Sequence, residues 1–189
     1  MGGDRPRIKR VKESDTGTLA TDTLAFGKNL SSENARHIST FVENVELDIW
    51  FDKHYFHRFN HGDENGERKG IDFDNVKELI EMSFRHLLFY GSKVKGFHFL
   101  NNKSNPQERS IRIVLQDTYS ERSVDDMLNI IVEFHLINFN KYEITVITAM
   151  SCHDFKMSEG QFALEIKGKT DSILKQNIGK QLKELDYFE

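Results

Sequence analysis

Apolar residues in this chain follow two spacings, and the change from one to the other falls at Gly91. Before it, Val76, Leu79, Ile80, Phe84, Leu87 and Leu88 recur at steps of three and four, the spacing of one face of an α-helix. Asp72 stands where an N-cap is needed, Gly91 supplies a stop, and Glu81 with Arg85 forms an i,i+4 pair in the favourable order. After Gly91 the period becomes two. Phe97–Leu100, Ile111–Leu115, Leu128–Ile137 and Tyr142–Met150 are rich in β-branched and aromatic residues and predict strands. The polar connector Asn138 to Lys141 predicts that the last two form an antiparallel hairpin. Gln161–Ile166 reads as an added edge strand, and Ser172–Leu185 as a terminal helix weakened by Gly179.

Upstream of the long helix, Ser31 and Ser32 are placed to cap a short helix running through Ile38 and Phe41. Val45–Trp50 alternates as a half-buried strand and feeds a second helix over Trp50–His61. Gly62–Gly70 has three glycines and no hydrophobe, so it reads as a loop able to serve as a flap. Helices first and strands afterwards predict an α+β fold, with N-terminal helices packed on one face of a curved antiparallel sheet. Residues 1–29 show no sustained apolar period and read as a polar tail, its basic cluster a solvated terminus, leaving residues 30–189 as a single domain.

Composition narrows the setting. One cysteine, Cys152, cannot form an internal bridge, and no apolar run approaches the roughly 18 residues of a membrane span, so a cytoplasmic protein without membrane partners is expected. A formal charge of -4 argues against indiscriminate binding to polyanions and confines any nucleic-acid contact to a local basic patch.

Such a patch exists between Trp50 and His61. On a helix, Phe51, Tyr55, Phe56 and Phe59 share one arc, while His54, His57, Arg58 and His61 share the opposite one. The histidine spacing alone would suit a metal, yet no HExxH order, CxxC or matching Asp completes a ligand set, and no metal or cofactor is expected. Histidine with arginine is also the inventory of metal-free phosphodiester cleavage. One imidazole takes the 2′-hydroxyl proton, another protonates the leaving oxygen, and a guanidinium stabilises charge on phosphorus. His135, with Glu133 two residues before it on the same strand face, is a second acid–base candidate, whereas His86 reads as a surface residue.

The stretch Asp52-Lys53-His54-Tyr55-Phe56-His57-Arg58, followed by Ile71-Asp72-Phe73-Asp74-Asn75-Val76, resembles the H-x-x-x-R … I-x-x-x-x-V opening of small barnase/EndoU/RelE-like nuclease and toxin-like domains, met in toxin–antitoxin systems and phages. The resemblance spans about Val45 to Met150. It implies a metal-independent endoribonuclease with His54 and Arg58 catalytic and Thr145 or Thr148 as a final-strand hydroxyl; the residues themselves then offer His57 or His135 as second proton carrier. The usual second arginine is replaced by the longer glycine-rich loop, where Arg68 and Lys69, with His61, would contact substrate. RNA is then the expected partner, with an antitoxin-like protein as inhibitor. The alternative is a non-catalytic phage or mobile-element accessory protein that binds a protein or nucleotide.

Overall fold

A computed structural model of the chain describes residues 18–19, 36–52, 55, 71–101, 110–117, 127–152, 155–168 and 170–188. The strands are β1 (Thr18–Leu19), β2 (Arg36–Val42), β3 (Val45–Phe51), β4 (Leu100–Asn101), β5 (Ile113–Asp117), β6 (Leu128–Asn138), β7 (Lys141–Ser151), β8 (Phe162–Ile166), β9 (Ser172–Ile178) and β10 (Gln181–Phe188). One complete helix, α1 (Phe73–Lys93), is present among the described residues. Nine strands run in the order β1-β2-β3-β7-β6-β5-β8-β9-β10, and β4 lies beside β6.

This arrangement corrects the expected layering. The sheet is mixed, because β3 pairs with β7, β4 with β6, and β5 with β8 in parallel. Nor do several N-terminal helices cover it among the described residues. The segment expected to be a short helix through Ile38 and Phe41 is β2, folded back on β3 by a tight turn in which Glu43 adopts a φ of 57°. The expected terminal helix is the hairpin β9–β10. Gly179 and Lys180, with φ of 62° and 64°, form the two-residue turn whose twist matches the flanking strands. Gly179→Val is therefore expected to cost roughly 1–2 kcal/mol in chemical denaturation, because a β-branched residue resists left-handed φ. The expected edge strand near Gln161 is β8, which lies inside the sheet between β5 and β9.

The helix forms as its pattern predicts. Asp72 caps it through a 2.9 Å bond from the Asn75 amide, and Val76, Leu79, Ile80, Phe84 and Leu87 are buried against the sheet. Gly91 lies within the helix rather than stopping it, and its missing side chain makes room for the Phe99 ring, which a Cβ there would meet at 3.1 Å. Arg85 pairs with Glu43 instead of Glu81, which pairs with Lys77 and Thr40. His86 is buried, not a surface residue: its Nδ1 lies 2.9 Å from the Ser172 hydroxyl, and its ring stands edge-on to Phe188. The core joins α1 to Leu47, Ile49 and Phe51 of β3, Ile113 and Leu115 of β5, Ile130, Val132 and Phe134 of β6, and Ile144 and Val146 of β7. No helix among the described residues is long and apolar enough to cross a membrane.

Candidate functional site

Strand alternation sends His37 and Ser39 of β2 and the buried polar residues of β3, β6 and β7 to the face away from α1. The register fixes their neighbours. Ser39 lies across from Asp48, Asp48 from Glu143, and Glu143 from His135, which makes one row over four strands. A second row runs His37, Trp50, Thr145 and Glu133. The middle of this face is buried despite its charge, for Asp48, Glu133 and Glu143 are each only 1% exposed.

Buried carboxylates demand partners, and two clusters supply them. Asp48 receives the His37 Nε2 at 2.8 Å and the Lys141 ammonium at 2.6 Å, while Lys141 also reaches Glu46 at 3.0 Å. Burial pushes the Asp48 carboxyl upward, but the bonds from His37 and Lys141 outweigh it and hold the group below its ordinary range. In the second cluster the Arg112 guanidinium donates to Glu133 at 3.0 Å, and His135 Nε2 lies 3.6 Å from the other Glu133 oxygen. Glu133 therefore lies between a half-exposed cation, which it hydrogen-bonds, and a buried imidazole, which it meets at ion-pair distance.

The hydroxyls come together through an irregularity. Thr145 and Thr148 are three apart and in a regular strand would face opposite ways. The pairing of β6 with β7 shifts between Ile131 and Val132, and the extra residue, Ile147, turns both threonines to the face that carries Glu133 and His135. Both are buried, and the Thr148 hydroxyl has no hydrogen-bond partner among the described residues. Farther along this face Gln116 donates to the Asn129 side chain at 2.7 Å, and Asn129 donates to the carbonyls of Met127 and Cys152.

Of the sequence-predicted residues, His135, Thr145 and Thr148 thus share one face. His54, His57, Arg58, His61, Arg68 and Lys69 lie outside the described residues. The ends of the segment that carries them are placed: the Asp52 amide donates to the Val146 carbonyl at 2.9 Å, and the Tyr55 hydroxyl donates to the Ile71 carbonyl. Tyr55 is buried against Phe51 and Phe73, but Trp50 and Phe51 belong to β3 rather than to the expected helix over Trp50–His61. Sequence reasoning did not pick out Arg112, Asp48, Glu143 or Lys141. Arg112 alternates with buried Ile113 and could have been placed opposite Glu133 once the β5–β6 register was known.

No group of three or more histidine, cysteine, aspartate or glutamate side chains is placed to hold a metal ion among the described residues. A scan of protein-family models, a search of curated proteins and a search of solved structures each returned no match.

Proposed function

We propose that the chain is a metal-independent ribonuclease-like domain whose site lies where β3 and β7 run side by side. The observation that carries this reading is the Asp52–Val146 hydrogen bond at the end of the parallel β3–β7 pair. It brings the chain at Asp52, two residues before His54 in sequence, to the level of Thr145 and Thr148. Glu133 and His135 of β6, with Arg112 just before β5, add a carboxylate, an imidazole and a cation. In this reading His54 and His135 exchange protons with the 2′-hydroxyl and the leaving oxygen, Arg58 stabilises the phosphorane, and His57 is the alternate proton carrier. Arg68, Lys69 and His61 hold the RNA backbone, and Thr145 and Thr148 offer hydroxyls to the phosphate.

Purified protein is expected to cut single-stranded RNA in EDTA. His54→Ala and His135→Ala should each lower the rate by about 10²–10⁴-fold. Unchanged thermal midpoints would separate a chemical loss from an unfolded site. RNA left intact by the wild-type protein over a range of sequences and pH would overturn the reading.

One observation favours the alternative of a non-catalytic accessory protein that binds a protein partner. Phe139 is 99% and Phe41 66% exposed, and the two lie at the same end of the sheet, where the Glu46 amide bonds the Asn140 carbonyl. Paired aromatic side chains in water suit a protein contact better than a phosphate. Intact RNA in the same assay is the result this reading requires.

A further inference from the structure

Four of the eight large hydrophobic side chains exposed among the described residues, Ile178, Leu182, Leu185 and Tyr187, belong to the β9–β10 hairpin. Strand β10 stands at the end of the sheet order, where the outer N–H and C=O groups other than the Tyr187 amide, which donates to Asp186 Oδ1 at 2.9 Å, form a template for a further strand. Its register on β9 breaks between Glu184 and Asp186, which makes Leu185 the extra residue of a bulge. The break resets the alternation. Leu182 and Tyr187, five apart, both face away from α1, opposite Asn177 and Ile173. Lys183 and Asp186, three apart, both face the α1 side, opposite Gln176 and Leu174. An unbroken strand would send the members of each pair to opposite faces.

We propose that β10 pairs antiparallel with β10 of a second copy of this chain, about a two-fold axis through Glu184 and Leu185. In that register Leu182 lies across from the second copy's Tyr187, and Lys183 across from its Asp186. The symmetry repeats each contact. Opposite residues of an antiparallel pair must share a face, and both pairs do so only because of the bulge. The charge match is the argument for a second copy over another protein, since the same eight residues supply both halves. Asp186 is drawn to the α1 side by Lys93 at 2.9 Å, which presents its carboxylate where the incoming lysine arrives. Pairing of single strands buries less than a standard interface, so the dimer is concentration-dependent.

Sedimentation equilibrium of the full chain tests it. The wild-type protein is expected to pass from monomer to dimer as concentration rises through the micromolar range. Leu182→Glu should leave a monomer with an unchanged circular-dichroism spectrum, and Leu182→Glu with Tyr187→Lys should restore the dimer by placing opposite charges across the axis. A wild-type monomer at every concentration would overturn the proposal. So would a dimer indifferent to Leu182→Glu, or a double variant that stays monomeric while folded.

Discussion

Phe134→Ala is expected to lower the unfolding free energy by about 3–5 kcal/mol, with an unchanged denaturant slope. Phe134 is fully buried on β6, the strand flanked by β7 on one side and by β5 and β4 on the other. Its ring lies 6.3 Å from Phe84 of α1 and 5.6 Å from Phe99, and Phe84 packs edge-on against Tyr142 at 4.9 Å. This aromatic chain joins helix to sheet, so truncation removes contacts on both sides of the core. The site cannot close over the loss, because its walls are a paired strand and a 21-residue helix. Phe134→Leu, which keeps most of the volume, should cost less than about 1.5 kcal/mol. Equal losses from the two variants would show that volume at this position is not what matters.

The helix was legible in the sequence because its signal is local: a cap, a 3.6 period and an apolar face all lie within Asp72–Lys93. The strands at Val45–Phe51, Leu128–Asn138 and Lys141–Ser151 were legible for the same reason. Their pairing was not. Nothing near Val45 specifies that β3 lies parallel to β7, since those partners are separated by the whole helix and three further strands. Gly179 was read as a flaw in a helix, but followed by Lys180 it is a turn with both residues at positive φ, and a wheel of apolar residues cannot distinguish the two.

The candidate site shows a different limit. Alternation placed Glu133 and His135 on one face correctly, and Asp48 falls on that face by the same rule. It could not reveal that the face is buried, because polar residues at every second position ordinarily mark water. Nor could period two place Thr145 and Thr148 together. That required the bulge at Ile147, a property of the partner strand's register rather than of the residues themselves.

Asp48→Ala is the second large effect, and its sign can be checked against pH. Asp48 is 1% exposed and receives both His37 and Lys141, so its removal leaves two donors gathered around a missing charge. Breaking one side of a buried pair costs on the order of 3 kcal/mol, moderated here because Lys141 keeps Glu46. Asp48→Asn, which retains an acceptor for His37, should lose less. The folded Asp48 carboxyl lies below the ordinary 3.8, so the unfolded chain takes up that proton first as pH falls. Its stabilisation is complete above 3.8 and disappears as pH drops through the folded value. For His86 it is burial that holds the imidazole below its ordinary 6.5, so the unfolded chain also gains that proton first, and stability begins to fall below about 6.5. Urea midpoints measured from pH 7 downward should therefore decline in two stages, the upper belonging to His86 and the lower to Asp48 together with Asp186, whose carboxyl the Lys93 hydrogen bond also holds below its ordinary range. In Asp48→Ala the lower stage should shrink while the upper one persists. A lower stage of undiminished size would mean that the His37–Asp48–Lys141 cluster does not stabilise the charged carboxylate.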